Sequence, residues 1–556
     1  MSAFSMSSRF AAGPNAYREI RRMFIRKAIA GAPAASAILL ACLAGGASQA
    51  QNLVPADAAA TCTVSPAIFQ SWFLFDRVTP NGVVTPANSV KFNHDTVNPP
   101  ASNKTINCNF YQWSQRMFLW LTSSPMRLFG GNGTVMDSVA FYSVLNSDDG
   151  KARCLVNREL GVNTCGGKPA SLFSIRVNKP RFDKTDAVDK DSGVTQADGS
   201  GPQQADGAAL MGRGGKMVYY TILVNDVYAF FASASGTKNP RLRFPTTQAE
   251  LDKVLAWAKQ HHHRVPDADA LALELKASWV EADGLDTNRY ITTVGEIPVF
   301  DTRDSQKWVQ TGSRQALLAL VGLHVVGSAA GHPEMIWATF EHDSNSPNGA
   351  YSYINAQGAT VAVPQEVPKG MLFSANGATG PFNVQHMYVD PDASPLTVRA
   401  SSGQTVSPSD TLRTFPWGVS AALPIQPAQS AAQANSEVIS INNSVRSLLK
   451  QGDTRRNYLL IGATWTNGGN DPYNPFQAAG GNNQPNHVGG NALANSTMET
   501  YVTLGNKLYN CFSCHNAGKA TDTNAKATVG VSHIYESIKP FTDPQLNRLW
   551  EGVLAK

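Results

Sequence analysis

Charge is scarce in this 556-residue chain: Asp, Glu, Lys and Arg together make up 16% of it. Set beside 45 Gly and 32 Pro, that scarcity argues against a helical bundle and for a strand- and loop-rich exported protein. A surplus of either charge sign is also missing. Six of the 46 basic residues and one of the 41 acidic residues lie in the first fifty positions, so the rest of the chain carries 40 of each. No stripe of Lys and Arg interleaved with aromatics occurs, and nothing points to nucleic acid. Long uninterrupted apolar runs are absent too. The best candidate, residues 28–44, is short and diluted by Gly and Pro, so no stable membrane span is expected after leader cleavage. There is no internal repeat. Apolar residues nevertheless reach 42%, enough to bury a large core.

The first fifty residues read as a secretory signal peptide. Arg18, Arg21, Arg22, Arg26 and Lys27 form a basic region, residues 28–44 an apolar one, and Ala47-Ser-Gln-Ala50 a cleavage site with small residues at −3 and −1. The pair Arg21-Arg22 resembles a twin-arginine signal, and Leu39-Leu40-Ala41-Cys42 resembles a lipobox with a poorly fitting Leu at −2. The expected location is the periplasm. Beyond the leader remain Cys62, Cys108, Cys154, Cys165, Cys511 and Cys514. The first four are an even set suited to an oxidising compartment, where they allow three connectivities. A short Cys154–Cys165 loop and a Cys62–Cys108 clamp are among the pairings they allow.

Residues 51–105 are irregular and rich in Pro and Asn. Phe110, Trp113, Met117 and Leu121 recur at helical spacing and predict a buried helix over 110–122. Residues 183–215 are a polar excursion, and the calcium-loop-like Asp189-Lys-Asp191-Ser-Gly193 lacks the required spacing. An apolar run over 217–232 suggests a strand. Thr247 and Glu250 form a capping box for the next helix, which ends at His261-His262-His263, a cationic helix end rather than a chelate. Residues 271–280 alternate, with Glu274 and Lys276 on one face. Residues 317–326 and 335–340 predict a buried hairpin, 343–435 long loops with short strands, and 456–466 another strand. Residues 467–495 are a Gly/Asn/Pro-rich loop.

Near the carboxyl end stands Cys511-Phe-Ser-Cys514-His515, the C-x-x-C-H pattern of c-type haem attachment. Two thiols form thioethers with the two haem vinyl groups, and the adjacent imidazole becomes the proximal iron ligand. A zinc site would need further paired ligands, and no second C-x-x-C exists. A thioredoxin-like dithiol would need a strand before the motif. Instead, Ser496 and Glu499 predict a capped helix running to about Tyr509. After the motif, Asp543 and Pro544 open a second amphipathic pattern, with Leu546, Leu549, Trp550, Val553 and Leu554 on one face. This layout looks like a reduced class I cytochrome c, with two departures: the Gly and the aromatic of the first helix sit one residue closer to the Cys than usual, and no Met follows His515. The distal candidate is His533. Met498, His324, His332, His342, His386 and His487 lie elsewhere, and His324 and Glu341 with the 332–342 run could form a second metal site or a distal wall.

Several stretches resemble a family of periplasmic mono-haem cytochrome c proteins of proteobacteria, mostly of unknown role. They are Glu274-Leu-Lys276-Ala-Ser-Trp279, Val321-Gly-Leu-His324, His332-Pro-Glu-Met-Ile-Trp337-Ala-Thr-Phe-Glu341-His342, Asn457 to Trp465, Leu493 to Tyr501 and Ser532-His533-Ile-Tyr535. The resemblance covers about the last half of the chain. It implies secretion and one covalent haem c, and it supplies no reaction.

The expected architecture is α+β. Residues 1–50 are the signal peptide, 51–490 a large β-rich domain, and 491–556 a small helical cytochrome c-like haem segment. Three functions are compatible with it. The first is electron transfer with a periplasmic redox partner, after loading by the cytochrome c maturation machinery. The second is a haem peroxidase or oxygenase whose open iron position is walled by the large domain. The third is a ligand-binding haem sensor.

Overall fold

The computed structural model describes residues 54–93, 106–125, 133–147, 150–157, 159–167, 173–174, 207–234, 242–367, 370–374, 381–390, 392–423, 425, 428–472, 487–501, 510–516, 528–542 and 545. The leader, the 189–193 stretch, residues 502–509 and the periodicity from Leu546 to Leu554 lie outside them. All described residues belong to one unit, Leu53–Lys556.

Among the described residues the strands are, in order, β1 (Phe141–Asn146), β2 (Arg153–Asn157), β3 (Val162–Asn163), β4 (Phe173–Ser174), β5 (Met211–Gly212) and β6 (Lys216–Asn225). Then come β7 (Leu273–Glu281), β8 (Thr292–Asp301), β9 (Lys307–Ala329), β10 (His332–His342), β11 (Tyr351–Ile354) and β12 (Thr360–Val363). The last are β13 (Met387–Val389), β14 (Thr397–Ala400), β15 (Tyr458–Thr466) and β16 (His487–Gly489). Fourteen of them form one sheet with the main order β16-β15-β10-β9-β7-β6-β1-β2-β3. Every pairing along that path is antiparallel. Five α-helices accompany it: α1 (Pro66–Ser71), α2 (Ile106–Leu121), α3 (Asp226–Ala234), α4 (Gln248–Gln260) and α5 (Ala431–Leu448). The fold is thus mixed, with a large antiparallel sheet and few helices.

The sheet is built from side-chain alternation. On one face Leu273, Leu275 and Ala277 of β7, Leu323 and Val325 of β9, and Ile336, Ala338 and Phe340 of β10 join a large apolar core. Helices α2 and α5 fill that core from outside. Phe110, Trp113, Met117 and Leu121 of α2 are buried there, as their spacing requires. Phe118 stacks on Phe340 at 4.3 Å, and Phe110 on Trp465 at 3.8 Å. The Thr247–Glu250 capping box opens α4 as expected. The disulfides are Cys62–Cys108, which clamps the amino-terminal segment onto α2, and Cys154–Cys165 beside β2.

Two expectations need correction. The apolar run over 217–232 is not one strand: β6 ends at Asn225 and α3 starts at Asp226. The side chain of Asn225 accepts the Tyr228 N–H, and that of Asp226 accepts the Val227 N–H, so two adjacent polar side chains cap a helix inside an apolar stretch. The loop expected over 343–435 runs into α5, which carries Asn and Ser where a buried helix usually carries Leu. Ser430 and Gln433 cap it.

Candidate functional site

The second face of the central strands is polar. Lys276 lies opposite His324, and His324 opposite Thr339. Glu274 pairs with Val326 and that with Trp337; Ser278 pairs with Gly322 and that with Glu341. Three strands thus project Glu274, Lys276, Ser278, His324, Thr339 and Glu341 together. Uncompensated, so many polar groups would be costly to bury. They are compensated by the carboxyl-terminal chain, which packs down on them.

Each anchor is specific. Asn495 donates to Thr339 Oγ1 at 2.8 Å, and Ser278 and Thr497 share a hydroxyl hydrogen bond at 2.7 Å. Ser496 donates its N–H and its hydroxyl to Glu341, at 2.6 and 2.5 Å. Arg413 donates to the same carboxylate at 2.8 Å, and both charges are fully buried. Further on, Ser532 donates to Glu274 Oε2 at 2.6 Å and pairs with the Tyr228 hydroxyl at 2.7 Å. The capping box expected at Ser496 is displaced by one residue. Ser496 is spent on Glu341, so Glu499 Oε2 instead accepts the Asn495 N–H at 2.9 Å. Residues 496–501 form turns.

Between these anchors stands the C-x-x-C-H segment. Cys511–Ser513 is a single 3-10 turn opened by Asn510, whose side chain accepts the Phe512 N–H at 2.9 Å. Phe512 is the apolar plug that seats it, buried with Trp337, Val326, Val531 and Tyr535. The next turn continues as His515 N–H donates to Cys511 O at 2.9 Å. Cys511 and Cys514 are half-buried and outside any disulfide, whereas Cys62, Cys108, Cys154 and Cys165 are paired in two. His515 Nδ1 lies 2.7 Å from the carbonyl oxygen of Val531. A carbonyl only accepts, so Nδ1 carries the proton and Nε2 presents its lone pair. The ring rests against Trp337 at 4.5 Å. Trp337 is itself fixed by donating Nε1–H to Glu334 O at 3.0 Å.

The electrostatics distinguish the chemistries open to two thiols and an imidazole. Burial, reinforced by Glu499, pushes the Cys511 thiol far up and the Cys514 thiol to about 11. A dithiol redox catalyst needs the opposite, a stabilised thiolate. Burial also drives His515 well below its ordinary value, with His533, Lys276 and His324 adding to the effect. A neutral imidazole with its second nitrogen tied to a carbonyl is the form that binds a metal. The donor set therefore fits haem c: two thiols, one oriented imidazole and an apolar seat.

No protein-family model, curated protein or solved structure matches this chain.

The remaining candidate residues separate cleanly. His533 stacks face to face on His515, ring centroids 3.9 Å apart and 15° from parallel. His533 therefore stands beside the His515 ring rather than opposite its edge. Met498 is buried in an apolar cluster with Val280 and Val321. His332 bonds Glu334 at 2.9 Å and packs on Phe110. His342 is stacked on Tyr290 at 3.9 Å, with Arg289 O and Ser344 Oγ as hydrogen-bond partners of its two nitrogens. His386 is held by the carbonyls of Val384 and Ser407, and His487 is buried on β16. Among the described residues no three His, Cys, Asp or Glu side chains form a group that could hold a metal ion on their own. His324 remains: its Nε2 meets Glu499 Oε1 at 3.0 Å.

Sequence reasoning missed Val531, Asn510 and the Ser532–Glu274 contact. For Val531 no sequence signal exists, because any residue has a carbonyl. For the polar face the signal was present, as Glu274 and Lys276 on one side of an otherwise apolar strand.

Proposed function

We propose that this chain is an exported, periplasmic mono-haem c-type protein of electron transfer, its haem attached through Cys511 and Cys514 and its iron held by His515. The observation that carries the reading is the 2.7 Å contact from His515 Nδ1 to Val531 O, which leaves Nε2 as the donor nitrogen of the C-x-x-C-H motif. The two disulfides support an oxidising compartment.

Haem c, when bound, supplies a one-electron ferric–ferrous couple. The rest falls to the chain. Val531 holds the imidazole's proton at Nδ1 and thereby its orientation. Phe512, Trp337 and Val531 exclude water from the proximal side. The charged groups Lys276 and Glu499 set the local field, which tunes a redox potential. A covalent tether prevents loss of cofactor outside the cell. A cytochrome c-like helical segment over 491–556 belongs to this reading, as do the maturation machinery and a periplasmic redox partner.

The test is expression of the full chain in a host competent for c-haem maturation. The wild type should be red, with haem that resists acid–acetone extraction. Cys511→Ser with Cys514→Ser should give protein without covalent haem. Haem that extracts freely from the wild type contradicts the proposal.

A further inference from the structure

His533 is stacked against the His515 ring and so does not stand opposite it. We infer that His324 is the second axial ligand of the iron, binding through Nδ1. The inference rests on the haem reading above and deepens it.

Three observations support it. First, His324 stands on the correct face. It lies opposite Thr339 on β10, two residues from Trp337, whose ring touches His515. Diagonal neighbours of this kind are about 7–8 Å apart on an antiparallel sheet. Second, His324 has the partner that ligating histidines have. A carboxylate only accepts, so Glu499 fixes the His324 proton on Nε2 at 3.0 Å. Nδ1 then carries the lone pair, and it makes no hydrogen bond among the described residues. His515 shows the mirror arrangement, with a carbonyl on Nδ1 and Nε2 left over. Third, Glu499 is itself fixed. Its other oxygen accepts the Asn495 N–H, and Asn495 is pinned to Thr339.

The other candidates are engaged elsewhere. Met498 is packed among apolar side chains, and His342 uses both nitrogens. Among the described residues Lys276, opposite His324 on β7, is a nearby alternative; it would make an amine-ligated iron.

The experiment uses the haem-loaded full chain and its absorption and EPR spectra in both oxidation states. The wild type should be six-coordinate, low-spin, insensitive to carbon monoxide, with an EPR signature of two imidazoles. His324→Ala should become high-spin and bind carbon monoxide, and added imidazole should restore the low-spin spectrum. His324→Met guards against misfolding: it should keep a low-spin iron but acquire thioether ligation and a higher potential. A wild type that is high-spin, an amine signature abolished by Lys276→Ala, or a His324→Ala spectrum identical to wild type overturns the inference while leaving covalent haem in place. Protein without covalent haem overturns the underlying reading as well.

Discussion

The rings of His515 and His533 lie face to face, centroids 3.9 Å apart. Both belong to the carboxyl-terminal chain, and each is also held by a neighbouring carbonyl: His515 by Val531 O at 2.7 Å, His533 by Cys514 O at 3.2 Å. Two residues that look in sequence like opposite ligands of one iron are, in space, one stacked pair. On the proposed reading His533 buttresses the ligand.

His533→Ala should therefore retain covalent haem and a low-spin iron. Losing the stacked ring exposes His515 to water, which favours the more highly charged ferric state, so the midpoint potential should fall. Potentiometry with optical detection checks both points; conversion to a high-spin spectrum would mean that His533 is a ligand after all.

Trp337→Ala removes the surface on which Phe512 and His515 rest. Deleting a buried aromatic of this size costs about 3–5 kcal/mol. Trp337→Phe should recover most of that and lose only the Nε1–H bond to Glu334 O, about 1 kcal/mol. Urea midpoints of the three proteins give the comparison, and equal losses for the two variants would refute the packing account.

Much of the framework was readable from the sequence, and the reasons are local. The α2 periodicity, the Thr247–Glu250 box and the 271–280 alternation each place a pattern directly on an element. The hairpin at 317–340 was recognisable because both strands are buried apolar runs around a short turn. What was not readable depends on distant partners. Ser496 looks like a cap until Glu341, 155 residues away, takes its hydroxyl. α5 looks like loop because Asn435, Ser436, Ser440 and Asn442 are polar. They are buried because they bond Ser352 O, Ile354, Cys62 N–H and Leu460. At the site, the motif named its own three residues. The polar face that receives it emerges only when β7, β9 and β10 are laid side by side.

Arg413→Ala leaves Glu341 buried without its cation. Uncompensated burial of one member of such a pair costs about 3–5 kcal/mol. Because Glu341 also anchors Ser496, the loss should loosen the 491–501 segment, visible as faster amide hydrogen exchange there. A cost under about 1 kcal/mol with unchanged exchange would show that the pair is dispensable.

Asp226 opens α3 in a buried position, and burial lifts its carboxyl from 3.8 to about 8, with Asp267 contributing and the Val227 N–H opposing. The folded protein thus holds a proton there that the unfolded chain releases near pH 4. Stability from this group is intact below about pH 4 and is lost progressively as pH rises toward 8. Asp226→Asn should flatten that slope and be relatively more stable than wild type at pH 8 than at pH 5. Parallel slopes in denaturant titrations at the two pH values would contradict the assignment.

The most direct measurement is the intact mass of the mature protein purified from a maturation-competent host. The account predicts a chain shortened by its leader and heavier by one haem, with the added mass lost in the Cys511→Ser, Cys514→Ser double variant. A mass matching the bare polypeptide, with both thiols free to alkylation, would contradict it.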